Sequence, residues 1–154
     1  MESVQIARKL GASLAISTAS TTAKAETARA AGYDHVIDLS RESLRSGVMR
    51  LTGGKGVDVV IDAVGGALTG EALGCLTFGG AYAVVGYAGG REANINLTDV
   101  IWKGAKVRGF TLRGFAPETI GKALRTLTGY AAEGALQPTI AKVFPLAEAA
   151  EAVR

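Results

Sequence analysis

Apolar and polar positions alternate along this chain in two periods, and glycine punctuates the changes between them. Val4, Ala7 and Leu10 recur at helical spacing ahead of Gly11, so residues 3–10 read as a helix stopped by that glycine. Residues 14–18 form a short apolar run, a strand that ends in the polar cluster Ser20-Thr21-Thr22. Thr21 is placed to cap a helix over residues 23–31, which Gly32 ends. Residues 35–38 predict a second short strand. Ser40 is then expected to cap a helix in which Leu44, Val48 and Leu51 recur at i, i+4 and i+7, closed by Gly53-Gly54.

The run from Val57 to Val64 is almost continuously apolar, the pattern of a strand covered on both faces of a parallel sheet. Gly65-Gly66 leads into a helix carrying Leu68, Ala72, Leu73 and Leu76, and Gly79-Gly80 precedes a strand over residues 82–86. After an irregular stretch and a short segment around Val100, Ile101 and Trp102, the chain from Val107 to Leu112 alternates as a strand. Pro117 opens a helix striped by Ile120, Leu124, Leu127 and Ala131 and ended by Gly134. Residues 140–144 predict a last strand and residues 146–153 a short helix. Strands alternating with helices of about ten residues mean βαβ units, so the expected fold is a doubly wound parallel α/β sheet, Rossmann-like.

In such sheets a ligand lies across the carboxyl ends of the strands, so the residues just after each strand are the candidates. Ser20, Thr21 and Lys24 follow the first strand. A carboxylate there would pair with the ribose hydroxyls of NAD and repel a 2′-phosphate, whereas two hydroxyls and a cation suit NADP. The same residues also make sense as a helix cap and a solvated lysine. Ala63, Val64 and Gly65 follow the long apolar strand, where small residues let a ribose or ring approach the backbone. Gly86 and Tyr87 follow the next strand, where an aromatic could border a nicotinamide. Steric needs at a strand end explain these residues equally well. Asp62 reads as an acceptor of backbone N–H groups, Cys75 as an inert core residue and His35 as structural. No catalytic dyad emerges, and a hydride-transfer site needs none, because the cofactor carries the reactive hydride.

Composition narrows the picture. The chain of 154 residues suits one domain, and 48% hydrophobic with 20% charged residues excludes general disorder. The net charge of +3 comes from scattered Lys and Arg, which argues against nucleic-acid binding. With one Cys and one His, an internal disulfide, a zinc site and a His-based triad are all excluded, so no metal is expected. No apolar stretch approaches the ~20 residues of a membrane span, and a cytoplasmic location is expected.

The runs Gln5-Ile6-Ala7-Arg8-Lys9-Leu10-Gly11-Ala12, Asp34-His35-Val36-Ile37-Asp38, Thr52-Gly53-Gly54-Lys55-Gly56-Val57-Asp58-Val59-Val60-Ile61-Asp62 and Val85-Gly86-Tyr87 resemble medium-chain dehydrogenases/reductases. Lys24-Ala25-Glu26, Val107-Arg108-Gly109-Phe110 and the stretch from Val143 to Ala150 extend the resemblance over nearly the whole chain. The likeness is greatest to their zinc-independent NADPH:quinone oxidoreductases. It implies NADP(H) as cofactor, with Lys24 in the place of the phosphate-binding lysine, and Ala63 to Gly65 with Gly86-Tyr87 lining ribose and nicotinamide. It also implies hydride transfer to quinones or enones, and a homodimer through the edge from Val107 to Leu112. Where the family often carries a tyrosine beside the adenosine phosphate, this chain has Leu39.

The family's Gly-rich turn falls just before the position of Met1, so the sheet is expected to be incomplete at its N-terminus. Residues 1–136 then form the dinucleotide-binding domain, and residues 137–154 resemble the segment that returns to a substrate domain. In the family order 3-2-1-4-5-6, the strand ahead of this sequence lies between residues 14–18 and 57–64. Those two strands are expected to close the gap by pairing directly. The chain alone is expected to be inactive. The alternatives are a non-catalytic Rossmann-fold interaction module and the enoyl-reductase portion of a larger synthase.

Overall fold

The computed structural model describes residues 2–138, 140 and 142–153. Helix α1 (Glu2–Lys9) leads to strand β1 (Ser17–Ala19), α2 (Thr22–Ala30) and β2 (Val36–Asp38). Helix α3 (Leu44–Thr52) crosses to β3 (Val57–Asp62), followed by α4 (Ala67–Gly74), β4 (Leu76–Val84), α5 (Leu97–Lys103) and β5 (Lys106–Gly109). Helix α6 (Pro117–Ala132) and the short α7 (Ala149–Ala152) complete the chain. All paired strands are parallel: β1 with β2, β3 with β4, and β4 with β5. This is the Rossmann-like α/β arrangement that the alternating pattern predicts.

Local chemistry sets most boundaries. Thr21 caps α2 as expected, its hydroxyl accepting the N–H of Lys24 at 3.3 Å. Gly53 ends α3 in the left-handed conformation, φ 61°, where a side chain would be strained. Ser40 does not cap α3. Its hydroxyl is committed to Asp38 Oδ1 at 2.6 Å, and Ser43, one turn closer, caps the helix through the N–H of Ser46 at 3.1 Å. The segment around Val100 is the helix α5, capped by Asn96. Strand β4 begins at Leu76 rather than Tyr82, so Leu76 belongs to the sheet and not to α4.

The two inner strands do not pair. The sheet is split into β1-β2 and β3-β4-β5, and a cleft of about 890 Å³ separates them, lined by residues 11–18 on one wall and 55–64 on the other. Helix α3 bridges the two halves: its Leu44 and Val48 share one core with Ile37 of β2, Leu73 of α4 and Leu76 of β4. Strands pair about 4.8 Å apart. Reaching that spacing would eject Val4, Ala7, Leu44, Val48 and Leu51, all of which line the cleft. Two expectations fail with the closure. Residues 14–16 have no ladder partner, so β1 starts at Ser17. Strand β3 is not covered on both faces, with Val59 and Ile61 60% and 56% exposed.

The last third packs loosely. Strand β5 is exposed throughout and stops at Gly109, with a 3-10 turn at Leu112–Gly114 in place of the predicted strand end. No residue of α6 is buried. Its carboxyl end is tied to α1, where Lys9 pairs with Glu133 at 2.7 Å and Gln5 bonds the backbone of Gln137. The expected strand at residues 140–144 falls partly on Ala141, outside the described residues, and the described ones there form no strand. The predicted final helix divides into a 3-10 turn, Leu146–Glu148, and α7.

Candidate functional site

The carboxyl ends of β1 and β3 meet the loop after β4 at a groove of about 690 Å³. It is lined by residues 17–20, Lys24, Thr27, Ala28, Leu39, Val64, Leu68, Ala88 and Gly89. One end is polar and cationic. Lys24 Nζ lies 3.5 Å from Ser20 Oγ, and both residues are exposed at the start of α2. Thr21, by contrast, spends its hydroxyl on the helix cap and does not line the groove.

Thr22 and Asp38, which were not among the sequence candidates, brace this end from behind. The Thr22 hydroxyl donates to Asp38 Oδ2 at 2.6 Å, and Arg41 Nε donates to Thr22 Oγ1 at 3.2 Å. Hydrogen bonds from the Ser40 and Thr22 hydroxyls hold the Asp38 carboxyl below the ordinary carboxylate range, against burial, with the Ser40 N–H and Arg41 adding to the effect. Asp38 is therefore a fixed anion that orders the β1–α2 and β2–α3 turns.

The other end of the groove is made of two backbone turns locked together. Residues 63–66 follow β3 and residues 85–90 follow β4, and Gly65 and Gly90 form a bridge between them. A Cβ on Gly86 would fall 2.5 Å from the Ala63 carbonyl oxygen, and one on Gly66 would fall 2.6 Å from that of Gly89. Only glycine permits this approach. The sequence reading of Asp62 holds: its Oδ1 accepts the N–H groups of Val64 and Gly65, each at 2.8 Å. Its Oδ2 accepts the hydroxyls of Tyr82 at 2.7 Å and Thr69 at 3.0 Å. Burial works to raise this carboxyl, but the four donors outweigh it and hold Asp62 below the usual range. Burial, together with the bond to Asp62, pushes the Tyr82 phenol well up. Both groups keep one protonation state across the physiological range.

The structure thus gathers Ser20, Lys24 and Val64 around one groove, with Ala63 and Gly65 in the turn beside it. Gly86 sits in the facing turn, donating to the Asp62 carbonyl at 3.2 Å. Tyr87 points away and is 66% exposed, with the Arg91 guanidinium 5.6 Å from its ring centre. Ala88 and Gly89 take its place at the groove. The doublet Gly89-Gly90 was the available signal for them. Cys75 is buried at the end of α4, and burial raises its thiol. His35 contributes its backbone carbonyl to Ser17.

The sequence pattern of the zinc-binding dehydrogenases matches residues 2–129. A 2-haloacrylate reductase from a Burkholderia species is 37% identical over 152 residues, 95% of this chain and 45% of that protein. Quinone oxidoreductase-like protein 2 of Bos taurus is 32% identical over 152 residues, covering 97% and 44%. Among solved structures, the quinone oxidoreductase of Escherichia coli complexed with NADPH superposes with a TM-score of 0.76. It is 33% identical, covering 90% of this chain and 43% of that one. The chain spans less than half the length of each of these proteins. The donors present in this chain do not by themselves make a zinc site. The sequence has one Cys and one His, and no group of three or more His, Cys, Asp or Glu is poised for a metal among the described residues.

Proposed function

Because the chain belongs to the zinc-binding dehydrogenase family, we propose that it is the nucleotide-binding part of an NADPH-dependent, zinc-independent, quinone-oxidoreductase-like enzyme acting on quinones or conjugated carbonyls. The observation that carries this reading is the groove. Its polar end offers the Ser20 hydroxyl, the Lys24 ammonium and the amino end of α2, a combination suited to a phosphate. Its other end offers Val64, Ala88 and Gly89, carried by the small-residue turns that contain Ala63, Gly65 and Gly86, a surface suited to a ribose and a flat ring. The NADPH in the related E. coli structure supports the same cofactor here. Bound NADPH supplies the hydride. Ser20 and Lys24 bind and orient the 2′-phosphate, and the interlocked turns set the height of the nicotinamide end.

The remaining assignments belong to the same proposal. Residues 1–136 are the dinucleotide-binding unit, and residues 137–154 lead back toward a substrate domain. Catalysis requires that domain, so the chain alone is inactive. Two copies associate through the outer edge of the sheet, where all of β5 is exposed and Val107, Phe110 and Leu112 present apolar surface. No helix among the described residues is long and apolar enough to cross a membrane, and we place the protein in the cytoplasm. Calorimetric titration with NADPH and NADH tests the core of the reading. Saturable binding that favours NADPH is expected, and equal affinity for both, or none for either, refutes it.

A further inference from the structure

Asp62 holds both turns of the groove's backbone end. Its side chain takes the N–H groups of Val64 and Gly65, while its main-chain carbonyl takes those of Val85 at 2.8 Å and Gly86 at 3.2 Å. Tyr82 from β4 and Thr69 from α4 fix the second carboxylate oxygen. The residue is 8% exposed and does not line the groove. Burying a carboxylate is costly. A neutral acceptor would satisfy the same amides, but a charged one binds N–H groups more strongly and holds them more rigidly.

We propose that Asp62, braced by Tyr82 and Thr69, is a positioning residue for the nicotinamide half of the dinucleotide. It fixes the Val64-Gly65 and Gly86 backbones at one height, so that ribose and ring meet a preformed surface, and it does not touch the ligand. This rests on the reading of the groove as a dinucleotide site. Its consequence is selective: the nicotinamide half loses affinity when Asp62 is removed, while the 2′-phosphate end, held by Ser20 and Lys24, does not.

The test compares two ligands on the full chain: NADPH and 2′,5′-ADP, which carries the phosphorylated adenosine end and lacks the nicotinamide. Asp62→Ala should lower the ratio of NADPH to 2′,5′-ADP affinity about tenfold and leave 2′,5′-ADP binding unchanged. Asp62→Asn should keep the ratio within about threefold of the parent chain, because its amide oxygen still accepts both N–H groups and its NH2 can donate to the Tyr82 oxygen. Tyr82→Phe deletes one hydroxyl, retains the ring packing and should fall between them. It carries the same comparison if Asp62→Ala does not fold. Equal losses for both ligands would make Asp62 a general folding residue, and an unchanged ratio in Asp62→Ala and Tyr82→Phe would remove its role. Either overturns the inference. An unsubstituted chain that binds NADPH no tighter than 2′,5′-ADP would instead overturn the placement of the nicotinamide, and this inference with it.

Discussion

Replacing Lys24 by alanine separates a phosphate-reading lysine from a solvated one. Its ammonium sits 3.5 Å from the Ser20 hydroxyl on an exposed helix start. A phosphate bound by both would lie about 4 Å from the charge. At that distance a unit pair is worth about 1 kcal/mol in bulk water and about 4 kcal/mol at the effective dielectric near a protein surface. Exposure places Lys24 toward the lower figure. A loss of about 1–2 kcal/mol corresponds to a roughly 5- to 30-fold fall in preference for NADPH over NADH. The cap of α2 survives, because it uses the backbone N–H of residue 24 and the Thr21 hydroxyl. Stability should therefore change by no more than about 0.5 kcal/mol. Calorimetric titration with both cofactors measures the preference. Repeating it from about 0.05 to 0.5 M salt should shrink the difference between the parent and variant chains as screening increases. Equal losses for NADPH and NADH would assign Lys24 to general charge attraction and refute the 2′-phosphate role.

Three further outcomes follow from the same geometry. The isolated chain should self-associate at micromolar concentration, since Val59 and Ile61 stand more than half exposed at the cleft and full burial of such a side chain is worth about 1.5–3 kcal/mol; sedimentation showing a cooperatively folding monomer would contradict this. Gly86→Ala should destabilise the fold by about 1–3 kcal/mol, because its Cβ would fall 2.5 Å from the Ala63 carbonyl oxygen; an unchanged denaturation midpoint would mean the turns are not locked. Asp62 has a lowered folded pKa, so the stability it contributes is fully present above the ordinary value of 3.8 and is lost as pH falls through the folded value. Asp62→Asn should flatten that part of the acid limb of stability against pH, and an identical acid limb would sink the assignment.

The sequence by itself determined most of the elements and their order up to α6, because these depend on neighbours along the chain. Thr21 caps α2 within three residues, Gly53 ends α3 by its own backbone freedom, and Asp62 takes amides two and three residues on. With one Cys and one His, the sequence also led to the expectation of no zinc site within this chain. Tertiary structure decided what competes for each group and what covers each face. Ser40 was the cap expected from sequence, but Asp38, fixed by Thr22 across the β1–β2 pair, claims its hydroxyl and Ser43 caps α3 instead. The apolar run of β3 promised burial on both faces. Periodicity reports which side chains are apolar and not what lies opposite, and an open cleft separates the half-sheets, so Val59 and Ile61 stand exposed. The groove divides in the same way. Ser20 and Lys24 could be found by their place after a strand, whereas Ala88, Gly89 and the Tyr82–Asp62 bond join segments about twenty residues apart, brought together only by the parallel pairing of β3 with β4.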